Sequence, residues 1–93
     1  MATVHARLET PQPQRLLTRL GRHWGHKFEV EMEAGRLLVP FSDDARAWLQ
    51  ASDAVLEIRI EHPDQTGVDK LKGVVADHLQ RFSKDEVLVF EWS

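Results

Sequence analysis

Apolar and polar residues alternate with a period of two in most segments that we predict as β-strands, a pattern typical of strands that bury one face. The alternation is clearest where Phe28, Val30 and Met32 are interleaved with glutamates. The residues Ala34-Gly35 then form a predicted tight turn, which joins two of the strands in a hairpin. The predicted strands are 4–9, 28–33, 36–41, 45–51, 56–61 and 86–92.

A first amphipathic helix is predicted between Pro13 and Trp24. Its three leucines and its tryptophan fall within one arc about 100° wide, whereas its arginines gather on the opposite side. Proline is tolerated in the first turn of a helix because the N–H that it lacks has no partner there. Gly25 is expected to end the helix in a left-handed conformation.

A second helix is predicted to follow the turn at His62-Pro63 and to end at about Phe82. Its apolar residues repeat at helical spacing and form one stripe. Two starting points remain open, since Thr66 with Asp69 resembles a capping box while Asp64 is a competing N-cap. The stripe consists of Val68, Leu71, Val74, Val75, Leu79 and Phe82.

The order of elements is therefore β-α-β-β-β-β-α-β within a single domain of residues 1–93. Each predicted strand has one apolar and one largely polar face, so both helices are expected to cover the same side of the sheet. Consecutive strands joined by short turns favour antiparallel pairing. We predict an α+β fold, a two-layer sandwich in which two helices cover one face of a mostly antiparallel six-stranded sheet.

The composition limits the kinds of site, the cellular location and the partners that we expect for this domain. The chain contains no cysteine, which excludes disulfides, thiolate zinc sites and cysteine nucleophiles. The N-terminal residues show no signal peptide and no apolar run is long enough to cross a bilayer, so we expect a cytoplasmic protein without a membrane partner. The net charge of −3 gives no general attraction to nucleic acid, and no nucleic-acid partner is expected.

Three sequence blocks, in this order and near these distances, resemble a known bacterial family. They are Thr10-Pro11, Arg22-His23-Trp24-Gly25-His26-Lys27 and the decapeptide GVVADHLQRF from Gly73 to Phe82. Over nearly its whole length the chain is similar to the uncharacterised domain of unknown function 2218 family. The resemblance implies an accessory role in iron or siderophore handling, with a siderophore-interacting flavoprotein as partner, because members occur alone or joined to such proteins. The family's Phe-Gly-x-Cys stretch is replaced by Phe41-Ser42-Asp43-Asp44, so any role of that cysteine is missing here.

Three histidines are the side chains that we single out as candidates for ligand or metal binding. His78 falls inside the apolar stripe of the second helix, His23 lies at the edge of the first helix's stripe, and His26 lies just past that helix. If both helices cover one sheet face, the imidazoles could converge, and three imidazoles with a water make an open zinc or iron site. A wider ligand pocket would include Lys27 and Arg81.

The same histidines also have structural interpretations. At the end of a helix, His23 and His26 can interact with free carbonyl groups and with the helix dipole. A buried histidine such as His78 usually hydrogen-bonds a neighbouring backbone or side-chain group. The structural interpretation is favoured, no cofactor is expected, and the ligand and metal sites are kept as hypotheses.

The remaining polar residues suggest no catalytic chemistry. Arginines of the first helix could bind a phosphate or a carboxylate, although arginines opposite an apolar stripe usually form a solvated face. The serines lack the context of a nucleophile elbow. Glu29, Glu31 and Glu33 should face water, where nothing tunes two carboxylates to separate acid and base roles. We therefore expect a binding domain and not an enzyme.

Trp48 differs from the other aromatic residues because the alternation places it on the polar face of the sheet with Arg46 and Gln50. A large aromatic residue there is usually a cross-strand packing partner, but it also marks interfaces. Val87 and Val89 are expected to extend this apolar spot. Two functions thus stay open: an accessory binding domain, and a structural module that binds proteins or forms a homodimer through its open sheet face.

Overall fold

The computed structural model describes residues 1–84 and 86–93, and in them the six strands and two helices follow the predicted order. All strand pairs are antiparallel, and the strands lie across the sheet in the order β2-β3-β4-β5-β1-β6. The predicted α+β fold is confirmed. The elements are β1 Ala2–Glu9, α1 Pro13–Trp24, β2 Glu31–Glu33, β3 Arg36–Pro40, β4 Arg46–Ser52, β5 Val55–His62, α2 Gln65–Phe82 and β6 Glu91–Trp92.

Both helices lie on the same face of the sheet, as the alternation predicts. α1 packs mainly on β3 and β4, whereas α2 packs on β5 and β1. The core-facing residues of neighbouring strands are direct partners, for example Leu49 with Ile58 and Ile58 with Ala6. Leu20 and Val75 fill the layer between helices and sheet and are completely buried. Full burial of one such side chain contributes about 1.5–3 kcal/mol, so this layer is the main source of stability.

The end of α1 differs from the prediction. Gly25 has a φ of −62° and a ψ of −19°, which is right-handed, so the expected left-handed stop is wrong. Its N–H donates to the carbonyl oxygen of Gly21, and the N–H groups of Lys27 and Phe28 both donate to Trp24. A Cβ atom at position 25 would lie 2.9 Å from the carbonyl oxygen of Gly21, which is too close. The absence of a side chain at Gly25 therefore makes room for this turn.

The predicted strand at 28–33 is shorter than expected, with only Glu31–Glu33 paired in the sheet. The turn after α1 uses the N–H of Phe28, and the N–H of Val30 donates back to the carbonyl of Phe28. These local hydrogen bonds keep residues 28–30 out of the ladder. The side chains of Phe28 and Val30 still pack against the core, which explains why their alternation resembles that of a strand.

The last predicted strand, 86–92, is paired with β1 only at Glu91–Trp92. The side chain of Gln80 on α2 accepts a hydrogen bond from the N–H of Leu88 at 2.8 Å and donates to the carbonyl oxygen of Glu86 at 3.0 Å. The segment before β6 is therefore fixed to α2 by a side chain. Leu88 is nevertheless buried, on the core side that its position in the pattern predicts.

The start of α2 is decided by Asp64, which is the N-cap and accepts a hydrogen bond from the N–H of Gly67 at 2.7 Å. The alternative start at Thr66, where the sequence resembles a capping box, is wrong because the helix already includes Gln65. Neither helix in the described part of the chain has the combination of length and apolar composition that crossing a bilayer requires.

Candidate functional site

The face of the sheet opposite the helices is open to solvent, and its side chains form cross-strand rows. The strand register places one central row on five successive strands. From β2 to β1 this row reads Glu31, Leu38, Trp48, Arg59 and His5. It begins with an acid, is apolar in the middle, and ends with two basic side chains.

A second row runs beside the central one and is polar throughout. From β2 to β6 it reads Glu33, Arg36, Gln50, Glu57, Arg7 and Glu91. Charges of opposite sign occupy neighbouring strands at most steps of this row. Each pair of opposite charges on neighbouring strands contributes a few tenths of a kcal/mol to about 1 kcal/mol. The row can therefore stabilise the sheet while its side chains remain exposed to solvent.

The two rows surround a broad depression of about 540 Å³. Trp48 and Leu38 form its apolar centre, and both side chains are half-buried. Its other lining side chains on this face are charged or polar: His5, Glu31, Glu33, Arg36, Gln50, Glu57 and Arg59. An apolar, aromatic centre with a polar rim is the arrangement that protein interfaces show.

Arg59 lies over the ring of Trp48, with the guanidinium carbon 4.1 Å from the ring centroid. The same side chain is 3.8 Å from the carboxylate of Glu61. A cation–π contact of this kind contributes about 0.5–1 kcal/mol at an exposed site. The two contacts hold the guanidinium against one side of the indole, and they give the centre of the depression a defined shape.

The predicted interface residues divide into two groups. Arg46 is exposed on β4 two positions before Trp48, on the same face, as the sequence predicts. Val87 and Val89 are also strongly exposed, at 86% and 69%. They precede β6, and neither lines the depression around Trp48. That they extend the apolar spot around the tryptophan stays a prediction.

Two of the three candidate histidines meet on the helix side of the molecule. The ring centroids of His23 and His78 are 5.1 Å apart, and the ring of Trp24 lies 5.0 Å from that of His78. The Nδ1 atom of His78 is 2.7 Å from the carbonyl oxygen of Val74. Because a carbonyl oxygen only accepts, Nδ1 carries the proton, and Nε2 of a neutral ring keeps its lone pair.

The other members of the predicted pocket are His26, Lys27 and Arg81. His26 is exposed in the turn after α1, and Arg81 is exposed on α2. Lys27 places its ammonium group 5.6 Å from the centroid of the Phe28 ring. Within residues 1–84 and 86–93, no three His, Asp or Glu side chains are grouped so that they could hold a metal ion. Among the three candidate histidines the structure shows a contact between His23 and His78, and the wider ligand pocket stays a prediction.

Leu38, Arg59 and His5 belong to the depression but were not identified from the sequence. Each lies at a polar or ambiguous position of a predicted strand, and nothing local marks it as part of a site. The order of the strands would have identified them, because it places all three in the row of Trp48. Leu38 and Arg59 lie on the strands that precede and follow β4 in the sequence, whereas the place of His5 depends on the pairing of β1 with the distant strand β5.

A known protein of similar sequence shares this fold. The profile of a family described as uncharacterized protein conserved in bacteria (DUF2218) matches residues 5–93. The NMR structure of PA4090 from Pseudomonas aeruginosa is 34% identical in sequence, with a TM-score of 0.85. The similarity covers 100% of this chain and 96% of that one. No curated protein matches the sequence.

Proposed function

The chain belongs to the bacterial family of uncharacterized proteins DUF2218, and we propose that it is a protein-binding module that acts through the open face of its sheet. The observation that carries this proposal is the depression of about 540 Å³ centred on Trp48 and Leu38. Tryptophan is enriched among the residues that dominate binding energy, above all where polar neighbours exclude water around it. We regard Trp48 as the anchor of this surface.

The occupant that the charges favour is a second copy of the chain. Acidic and basic side chains alternate on this face, as in the step from Glu33 to Arg36 and from Glu57 to Arg7. A partner with a strong net charge of either sign would face like charges at some positions of this row. A copy of the same face offers the same alternation, and a lateral shift by one strand opposes acids to bases.

The size of the face sets the expected strength of this homodimer. The six strands are two to eight residues long, and at about 3.3 Å per residue and about 4.8 Å between strands they give a face of roughly 500 Å². Stable interfaces bury about 800 Å² on each partner. We therefore expect a weak, reversible dimer that forms at high protein concentration.

Sedimentation equilibrium of the wild type and of the variant Trp48→Glu tests the dimer. The wild type should show a mass that rises with concentration from 10.7 kDa toward twice that value. This substitution removes the aromatic anchor and places a charge that must be desolvated on association, so the variant should remain a monomer. Arg22→Glu is the control, because Arg22 is exposed on α1 and its substitution should leave the association unchanged.

Either of two results would contradict the proposal. A wild type that stays monomeric at millimolar concentration excludes the homodimer. Association that Trp48→Glu leaves intact places the interface elsewhere. Circular dichroism must show that the variant is folded, which we expect because Trp48 is only half-buried and faces away from the core.

A second candidate function is iron or siderophore handling as a cytoplasmic accessory domain, with a siderophore-interacting flavoprotein as partner. The observation that favours it is the pair His23 and His78, in which Nε2 of His78 makes no hydrogen bond within residues 1–84 and 86–93, so its lone pair can coordinate a metal ion. Titration with Zn²⁺, Fe²⁺ or a ferric siderophore, followed by histidine NMR shifts, tests this function. Saturable shifts that disappear in His78→Ala but persist in His5→Ala would support it. Shifts that do not saturate, or that His78→Ala leaves unchanged, would exclude it.

A further inference from the structure

A second cavity, of about 340 Å³, lies between the first half of α1 and the end of α2. It shares no lining residue with the depression on the open face. Its lining residues are Pro11, Gln12, Arg15, Leu16, Arg19, Phe82, Ser83, Lys84 and Glu86. Three of these carry a positive charge and one carries a negative charge.

The single acid in this cavity is already bound by hydroxyl groups. Oε1 of Glu86 accepts a hydrogen bond from the hydroxyl of Thr10 at 2.6 Å and lies 3.3 Å from the hydroxyl of Ser83. Thr10 is itself buried, with 3% of its surface exposed. Glu86 thus has a structural role in joining the end of β1 to the end of α2.

The three basic side chains have no acidic partner among residues 1–84 and 86–93. The ion pairs in that part of the chain join other residues. Arg15 donates from Nη1 to the side-chain oxygen of Gln12 at 3.0 Å, a neutral partner that leaves its charge uncompensated. With Arg19 one helical turn away, the guanidinium groups can approach one anion from the same side.

The cavity also has an apolar wall. Leu16 is 3% exposed, and Phe82 is half-buried at the end of α2. We propose that this cavity binds a small organic anion, with its carboxylate or phosphate next to Arg15 and Arg19 and its apolar part against Leu16 and Phe82. The volume is at the lower end of the range of small-molecule sites, which suits a ligand of about one ring.

Titrations followed by ¹H–¹⁵N NMR test this site with two probes, benzoate and phenyl phosphate, at an ionic strength held constant with sodium chloride. Saturable shifts are expected at residues 82–84 and at the arginine Nε–H groups. The double variant Arg15→Gln/Arg19→Gln should weaken binding at least tenfold, because it removes two charge-assisted donors. Arg22→Gln, on the same helix but outside the cavity, should change the affinity less than twofold.

The relative affinities of the two probes identify the preferred acid group, and either order supports the site. Shifts that sodium chloride alone reproduces, or that do not saturate, overturn the proposal. Equal binding by the wild type and the double variant also overturns it. These substitutions lie at exposed positions, so the variant should remain folded, and Lys84→Gln provides an independent test with a smaller loss of affinity.

Discussion

The two faces of the sheet are built from the same strands, yet their side chains have different tasks. Leu37 and Leu38 are neighbours in β3 and point to opposite faces. Leu37 is 2% exposed beneath α1, whereas Leu38 is half-buried beside Trp48 on the open face. Identical chemistry therefore contributes to the core on one face and to a candidate binding surface on the other.

This difference separates stability from function in the molecule. The helix-covered face loses apolar contacts with every truncation, because packed interiors have few ways to fill a void. Side chains on the open face have water as one neighbour, and their replacement leaves no closed cavity. Substitutions on the open face can thus change binding while the fold persists.

The largest effect is expected from the matched pair Leu37→Ala and Leu38→Ala. Leu37→Ala should reduce the free energy of unfolding by about 3 kcal/mol, within the range of buried leucine truncations. Leu38→Ala should reduce it by less than about 1 kcal/mol, because the side chain is already partly hydrated. Urea denaturation of both variants measures the difference. Equal losses would show that the open face is part of the core.

The fold could be predicted from the sequence because residues that are buried against the core recur at the spacing of a strand or of a helix. Both helices and the assignment of Leu49 and Ile58 to the core face followed from spacing alone. The errors at 28–30 and 86–90 have one physical cause. The alternation predicted that these residues pair with a neighbouring strand. Instead, the N–H groups of Phe28 and Leu88 donate to acceptors outside the sheet.

The candidate sites were less accessible to prediction. His23 and His78 were identified because both lie at or near an apolar stripe, and the shared helix layer then brings them together. The row containing Leu38 and Arg59 depends on the exact register of consecutive strands, which the alternation alone does not fix. The cavity beside Arg15 depends on where α2 ends relative to α1.

A second comparison between the faces uses two glutamines. Gln80, on the helix side, makes three hydrogen bonds, to the carbonyls of Ser83 and Glu86 and from the N–H of Leu88. Gln80→Ala should cost about 2 kcal/mol, because the backbone groups at 86 and 88 lose their partner in a partly buried site.

Gln50 is the control on the open face, where it is exposed. Gln50→Ala should change the free energy of unfolding by less than about 0.5 kcal/mol. Hydrogen exchange at the Leu88 amide gives a local measurement, since its protection should fall in Gln80→Ala and stay unchanged in Gln50→Ala. Unchanged protection in Gln80→Ala would mean that packing of Leu88, and not the glutamine, holds the segment.

The smallest effect is expected from Arg59→Gln, and it tests whether the open face has order of its own. Arg59 contacts Trp48 at 4.1 Å and Glu61 at 3.8 Å, both in partly solvated positions. The free energy of unfolding should fall by less than about 1 kcal/mol. The indole N–H resonance of Trp48 should nevertheless shift, because the ring loses its cation, whereas Arg59→Lys should retain part of the effect. A loss above about 2 kcal/mol would mean that this contact is structural. The centre of the open face would then contribute to stability as the helix-covered face does, and the two faces would not have separate roles.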